Sequence, residues 1–420
     1  MERRHQSGEP VGRVVVVGAG IAGITACDQL RSAGYDGRLT VVGAEPEQPY
    51  DRPPLSKDFL AGDVDDAQLA LRPASWYDDQ QVRLRLGVAA VAVSPADGAV
   101  QLADGTVETA DVVLLATGGV PRHLPVPGFR HPAVLTLRTV QDARKLKARI
   151  QPGARIGVVG GGLIGAEVAA ITASVGAEVT LVDRALPALA RVAGAEIAGL
   201  LRRHQDSLGV RVIADAVAAI ERRSAGVVLR TLGGGTIDCD VVVVGIGIEK
   251  DAALARAAGL AVSDGVLVDA AQRTSHPRIL AAGDNTTAIG RPGSRPAPGH
   301  WQRATYEAQV AAMTVLGLPG PAAPAPWFWS TRPGLHLEVA GDTVGHDLVV
   351  VRGASDAGSV LAVALAGDRC VGAVAVNRPA EMIAVRRIIE RGTPVSLDRL
   401  RDPATDLRRL ARGSVAPTAG

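Results

Sequence analysis

Two stretches of this chain repeat one pattern, and that repeat restricts the fold more than any other feature. Residues 13–17, RVVVV, run into Gly18-Ala19-Gly20-Ile21-Ala22-Gly23, a helical stretch to about residue 33 and a second apolar run at 39–42. Residues 155–159, RIGVV, run in the same way into Gly160-Gly161-Gly162-Leu163-Ile164-Gly165, a helical stretch to about residue 175 and an apolar run at 178–182. Continuous β-branched runs mark strands buried on both faces of a parallel sheet. One GxGxxG would mean little in a chain with 49 glycines. Between strand and helix, and present twice, it points to a purpose. The first glycine makes the turn, the second lets a pyrophosphate approach the backbone at a helix N-terminus, and the third packs helix on strand. An acid follows each second strand, Glu45 in the first unit and Asp183 in the second, placed to accept from ribose hydroxyls. A chain with two dinucleotide sites can bring two dinucleotides together.

The 420 residues exceed one compact core and point to two or three domains. A content of 47% hydrophobic and 21% charged residues is that of a folded chain. With only 3% aromatics, the cores must be built from small aliphatics. A net charge of +2 argues against nucleic-acid binding. Cys27, Cys239 and Cys370 are odd in number and far apart. They form neither a zinc cluster nor a vicinal disulfide, and they suit a reducing cytoplasm. Arg3-Arg4 is not read as a twin-arginine leader, because the apolar run after it is interrupted by glycines. No run of about eighteen apolar residues exists to span a membrane.

The remaining segments fall into order around the two units. Residues 82–113 alternate in short segments with turns at Asp97-Gly98 and Asp104-Gly105, which predicts a meander or hairpin. The strand at 112–115 enters Ala116-Thr117-Gly118-Gly119, and Pro121, Pro125 and Pro127 keep the following link extended. A helix is predicted over 136–151 and a buried strand in DVVVVGIG, 240–247. The chain then returns to its first unit through 266–268 and 279–284, where Asp284 is either a turn residue or a ligand contact at a strand's carboxyl end. A helix over 300–316 precedes the Pro, Gly and Ala-rich linker 317–326. Trp327-Phe328-Trp329-Ser330 opens a section of strands at 335–339, 348–351, 360–365 and 370–376, closed by a helix over 379–391. That aromatic cluster either seals a domain boundary or faces a cofactor.

Between the two nucleotide units lies PYDRPPLSKDFL, residues 49–60. Pro53 and Pro54 lack amide donors, which predicts an extended entry. Ser56 is then placed to cap a short helix that Gly62 ends, with Lys57 in its first turn. The helix dipole disfavours a cation there. Lys57 is therefore either a solvated surface lysine or a residue facing something that needs its charge.

With these pieces in order, the sequence resembles the oxygenase-coupled, FAD-containing NADH:ferredoxin reductases, a branch of the pyridine nucleotide-disulfide oxidoreductase superfamily that lacks the redox disulfide. The resemblance spans about residues 13–411 and rests on PYDRPPLSKDFL, LLATGGVPRHLPVPG, VVGGGLIGAEVAA, ILAAGDN, PWFWS and VGAVAVNRP. It implies an α/β chain of two Rossmann-like dinucleotide-binding domains plus a C-terminal α+β domain. Residues 1–123 with 248–325 would bind FAD, 124–247 NAD, and 326–412 would form an interface domain before a tail at 413–420. By the same resemblance Gly18, Gly20, Gly23, Glu45, Arg52, Lys57, Thr117, Arg122 and Asp284 would contact FAD. Gly160, Gly162, Gly165, Glu167 and Asp183 would serve the nicotinamide side, and Ala90, Gly118 and Gly247 complete the cofactor-binding set. Trp301 would start a helix near the flavin's pyrimidine end, and Trp329 would lie at the flavin edge where ferredoxin docks.

The implied reaction passes a hydride from NADH to FAD and electrons singly to a 2Fe-2S ferredoxin, which supplies a Rieske dioxygenase or a haem-thiolate monooxygenase. Lys57 would bring positive charge to the flavin, and Glu167 would pair with it across the domain junction, since a buried cation without a partner is costly. Asp183 favours NADH, although Arg184 beside it would partly offset repulsion of a 2′-phosphate. The family pattern is broken at Glu249-Lys250, where a Pro-Asn step is expected, at Asp183 in place of Glu, and at Thr331-Arg332-Pro333 in place of Asp-Gln-Tyr. Arg332 and the loop 291–295 are read as exposed charges, either solvated or meeting an acidic ferredoxin. Three other functions stay open. A thiol-dependent reductase would need a reactive cysteine that residues 43–50 lack. A peroxide-making NADH oxidase and a flavoprotein binding or sensing module need none.

Overall fold

The computed structural model describes residues 11–185, 189–290 and 301–412, with the backbone alone of Arg191. The expectations for Arg3-Arg4, the loop 291–295, His300 and the tail 413–420 lie outside the described residues. The chain forms two compact units, 11–53 with 65–120 and 248–323, and 54–64 with 121–247 and 324–412.

The first unit is built on a five-stranded parallel sheet in the order Ile279–Ala281, Val112–Leu115, Arg13–Val17, Arg38–Val42, Val82–Arg85. The period-two geometry of a strand sends Val14 and Val16 to one face and Val15 and Val17 to the other. Val14 and Val16 pack with Ile24 and Leu30 of the helix Ile21–Ser32 and with Ala304 and Ala308 of the helix Trp301–Val315. Val15 and Val17 pack against Val93 and Val100 of a three-stranded antiparallel sheet. The predicted meander over 82–113 is thus divided. Residues 82–85 pair in parallel with Arg38–Val42, because Val82 is needed in the core of the parallel sheet, and only 90–109 form the meander.

The second unit repeats the plan with Arg211–Ala214, Glu178–Asp183, Arg155–Val159, Val241–Val244 and Val134–Thr136 in parallel. Because 134–136 are strand, the helix predicted over 136–151 is shorter, Val140–Lys147, started by a capping box of Thr139 and Asp142. A second, antiparallel sheet in this unit runs Trp327–Arg332, Leu335–Gly341, Arg369–Val376, Ser359–Ala366, Leu348–Ala354. The helix Pro379–Arg391 packs against it through Met382, Val385 and Ile388. Ile197, Leu200 and Leu201 of the helix Ala190–Ser207, which the sequence reading missed, pack with Leu335, Leu337 and Val339.

Residues 53–62 differ from the predicted extended entry and capped helix. Pro53–Ser56 is a turn of 3₁₀-helix, since proline's fixed φ and missing donor are both tolerated in a first turn. The helix that follows is Asp58–Ala61, ended by Gly62 at φ +95°. Lys57 is its N-cap residue, and Ser56 has been released from capping.

The outer strand of the antiparallel sheet carries Arg352, 4% exposed. Its Nη1 donates to the carbonyls of Leu400 and Asp402 at 2.8 and 2.7 Å, and its Nη2 to those of Pro403 and Thr405 at 3.3 and 2.9 Å. One guanidinium thus pins the turns at 400–405 to the sheet. Arg352→Met leaves those carbonyls unpaired and is expected to cost on the order of 3 kcal/mol, read as a lowered midpoint in denaturant unfolding.

Candidate functional site

The glycines of the two motifs divide into those the chain itself requires and those it does not. A Cβ on Gly18, whose φ is +121°, would lie 2.1 Å from the Ala116 carbonyl oxygen, and one on Gly23 would lie 2.0 Å from that of Gly18. In the second motif the same holds for Gly160, at φ +102° and 2.5 Å from the Gly245 oxygen, and for Gly165, 1.9 Å from the Gly160 oxygen. Turn geometry and helix packing account for these four. The middle glycines are different: apart from their own neighbours along the chain, a Cβ on Gly20 or Gly162 would meet no atom of the described residues within 4 Å. Both are helix N-caps, and no side chain caps the amides that follow. Nothing internal calls for glycine there, so the open space suits a ligand that approaches the backbone, as a dinucleotide's pyrophosphate does.

In the first unit, predicted residues collect at the carboxyl ends of the parallel strands. Gly18 follows 13–17, Glu45 follows 38–42, Thr117 and Gly118 follow 112–115, and Asp284 follows 279–281. Glu45 accepts from Arg52 Nη2 at 2.7 Å and from Tyr50 Oη at 2.5 Å. Thr117 Oγ1 donates to the Asp251 carbonyl at 2.7 Å, and the Gly118 carbonyl accepts from the Asp251 amide. Trp301 Nε1 donates to Asp51 Oδ1 at 2.8 Å, and Ala90 begins the strand 90–94. Sequence reasoning missed Glu307, a buried residue on the helix Trp301–Val315. Its carboxylate takes the Gly283 amide and the Thr286 hydroxyl, at 2.8 and 2.9 Å, and the Arg303 guanidinium at 2.6 Å, and so fixes the loop that carries Asp284. Arg303 and Glu307 at helical i,i+4 spacing were the available signal.

In the second unit Asp183 ends its strand. Its Oδ2 accepts from the Gly161 amide at 2.5 Å and its Oδ1 from the Ala185 amide at 2.7 Å, which ties the ribose-acid position to the glycine turn. Gly247 has φ +99° and its carbonyl accepts from the Arg122 amide. Glu167, 1% exposed, stands on the helix Leu163–Ser174. Lys57 Nζ lies 3.4 Å from its Oε1, within one unit and not across a junction. Ser330 Oγ donates to the same oxygen at 2.7 Å, and Ser56 Oγ to Oε2 at 2.5 Å. Burial pushes the Glu167 carboxyl up, opposed first by Lys57, then by the two hydroxyls and by Arg332. Neither serine carried a signal in the sequence.

Lys57 Nζ also lies 5.2 Å from the centre of the Trp329 ring. Trp329 stacks on Trp327 at 4.8 Å and 22°, and the Arg386 guanidinium covers Trp327 at 4.4 Å. Cation and ring faces attract, so the four side chains hold one another in register. Arg332 corrects the sequence reading. It is 4% exposed, neither solvated nor displayed to a partner. Burial lowers its pKa to about 10, with Glu167 pushing back. The three cysteines are free and buried. Burial pushes Cys27 and Cys239 up to about 12 and Cys370 to about 11, so none is a reactive thiolate. Among the described residues no group of His, Cys, Asp and Glu is arranged to hold a metal, and no helix is long and apolar enough to cross a membrane.

The family model for pyridine nucleotide-disulphide oxidoreductases matches residues 12–308, and the reductase C-terminal model matches 327–411. This chain belongs to the pyridine nucleotide-disulphide oxidoreductases. It is 36% identical to a probable ferredoxin reductase of Castellaniella defragrans, over 95% of this chain and 98% of that one. It is 34% identical to the ferredoxin–NAD(+) reductase component of the biphenyl dioxygenase system of Paraburkholderia xenovorans, over 95% and 98%. Among solved structures, the covalent putidaredoxin reductase–putidaredoxin complex superposes with a TM-score of 0.90 at 32% identity, over 96% of this chain and 99% of that one. The family is named for a disulphide, and this member has none. Its glycine cradles fit both FAD and NAD(H).

The two kinds of glycine predict opposite phenotypes. Gly162→Ala should fold within about 1 kcal/mol of wild type and bind NADH on the order of tenfold more weakly by titration calorimetry. Gly165→Ala should lose several kcal/mol of stability, because its Cβ has no room.

Proposed function

We propose that this chain is an NADH-dependent ferredoxin reductase, an FAD flavoprotein that takes electrons from NADH and delivers them to a 2Fe-2S ferredoxin serving an oxygenase. The observation that carries this reading is two open glycine cradles on a chain whose thiols are all buried. Disulphide chemistry is thereby removed, and transfer between two dinucleotides is what remains. The relatives, named as ferredoxin reductases, supply the class of acceptor. The oxygenase is a Rieske dioxygenase or a haem-thiolate monooxygenase.

FAD, when bound, supplies what side chains cannot: it accepts a hydride from NADH and releases electrons one at a time. We assign its binding to Gly18, Gly20, Gly23, Glu45, Arg52, Ala90, Thr117, Gly118, Arg122, Asp284 and Trp301, within a domain of 1–123 and 248–325. Gly160, Gly162, Gly165, Asp183 and Gly247 would hold the nicotinamide dinucleotide on 124–247, and 326–412 would form the face that meets ferredoxin. Asp183 would accept from both ribose hydroxyls and repel a 2′-phosphate, which favours NADH over NADPH. Three buried thiols without a disulphide suit a reducing compartment, and the cytoplasm is the location this supports.

Lys57 and Glu167 are the residues we assign to catalysis. A free lysine side chain would lose on the order of 2 kcal/mol of rotamer entropy on being fixed. Here Glu167 and Trp329 already hold it. A cation so held stabilises negative charge arriving in the site without reorganising.

The test of the whole reading is cytochrome c reduction with NADH or NADPH, with and without a 2Fe-2S ferredoxin. NADH with ferredoxin should be fastest; equal NADH turnover with oxygen alone would instead mark an oxidase. For the site, Lys57→Ala should leave FAD bound and slow flavin reduction by NADH on the order of 10- to 100-fold in stopped flow. Reduction at the wild-type rate would remove Lys57 from the mechanism.

A further inference from the structure

Arg332 is buried as deeply as Arg352, yet without the same compensation. Arg352 spends its guanidinium on four carbonyl oxygens. Arg332 is also 4% exposed, and its Nε, like that of Arg352, has no hydrogen-bond partner among the described residues; Arg352 has the Glu381 carboxylate 3.4 Å from its Nε besides those carbonyls. A guanidinium taken out of water needs negative charge near it. The strand Trp327–Arg332 shows where that charge lies. Ser330 and Arg332 are two residues apart and so share a strand face, and both are buried. Ser330 Oγ donates to Glu167 Oε1 at 2.7 Å. Arg332 follows about 7 Å further along the strand, within an arginine's reach of the same carboxylate. That end of the strand is fixed by His204 Nε2, which donates to the Pro333 carbonyl at 2.7 Å.

We propose that Arg332 is a positioning residue of this reductase: its guanidinium is the second buried positive charge that holds Glu167 ionised, and through Glu167 it holds Lys57 in place. The proposal rests on the reading of Lys57 and Glu167 as the site's charge pair. Lys57 alone would leave one cation against one anion. Arg332 makes the buried cluster net positive, which opposes protonation of Glu167 where burial favours it.

The charged and titratable groups around Glu167 are Lys57, ahead of the helix Asp58–Ala61, and Arg332, on the strand 327–332. His204, on the helix Ala190–Ser207, lies beside this end of the strand, and its pKa is lowered by burial, against the opposing hydrogen bond to Pro333 and with a smaller contribution from Arg332. The sign follows from linkage. Removing Arg332 raises the folded pKa of Glu167 further, while the unfolded chain ionises at its ordinary value. R332Q therefore loses stability relative to wild type as pH rises. His204 acts in the same direction below about pH 6.5, since R332Q relieves the penalty on charging it. Arg332 itself, with a pKa of about 10, stays charged throughout this range.

The experiment is thermal unfolding of the holoprotein from about pH 5 to about pH 8, comparing wild type, R332Q, R332K, E167Q and the double variant E167Q/R332Q. The R332Q-minus-wild-type difference in Tm should become more negative across this range by about 2 °C or more. R332K should restore most of it. In the E167Q background only the part below about pH 6.5 should survive. Stopped-flow reduction by NADH should show, in R332Q, an ionisation moved to higher pH than in wild type. A Tm difference equal at every pH, or a pH dependence unchanged by E167Q, overturns the coupling. An unchanged kinetic profile beside a pH-dependent Tm difference overturns the positioning role. If E167Q itself reduces flavin at the wild-type rate, the reading of the charge pair fails before Arg332 is reached.

Discussion

The carboxylate of Glu167 has to be paired, and much of the second unit is arranged to do it. An isolated carboxylate at 1% exposure would cost several kcal/mol of desolvation. Lys57 at 3.4 Å returns an attraction on the order of 5 kcal/mol at an effective dielectric of about 20. Burying the lysine costs a similar amount again, so the ion pair alone does not settle the account. The Ser56 and Ser330 hydroxyls add to it, each a charge-assisted hydrogen bond. The carboxylate thus ties together a turn at 56–57, a helix at 163–174 and a strand at 327–332, segments far apart in the chain. Removing it would leave two hydroxyls and a lysine buried without an acceptor.

The same logic of local need and distant supply runs through the first unit. Parallel strands end together, so residues from four strand ends converge without any of them being adjacent in sequence. Glycine makes this possible where backbone meets backbone, at Gly18 against Ala116 and at Gly23 against Gly18. Glu307 then fixes the Asp284 loop from behind, with Arg303 compensating its charge.

What the sequence displayed was whatever has a period or a steric signature. The two strand–glycine–helix units, the strands 13–17 and 155–159 and the helix Pro379–Arg391 were all legible, because β-branched runs, glycine spacing and amphipathic spacing follow from backbone geometry alone. The helix 190–207 was not read. Its apolar face is completed only by a strand pair more than a hundred residues later. Pro53-Pro54 was read as extended because proline excludes helix interiors, whereas the chain uses it in a first turn. Ser56, Ser330 and Arg332 were invisible as site residues for one reason. A serine or arginine becomes significant only by what it faces, and Glu167 is 111 residues from Ser56 and 163 from Ser330.

Lys57 shows how such a site can be detected from within. It occupies the N-cap of the helix Asp58–Ala61, makes no side-chain capping bond there, and meets the end of a helix dipole that disfavours a cation. Asp58 next to it would suit that position better. Local chemistry therefore argues against lysine at 57, while Glu167 and Trp329 require one. When a residue contradicts its own turn and satisfies a distant group, the distant group accounts for it. Arg332 contradicts its surroundings in the same way, as a buried cation on a strand face, and its charge opposes the burial that pushes the Glu167 carboxyl up. Two locally disfavoured cations that both act on one buried anion make Glu167, more than either cation, the residue on which this site depends.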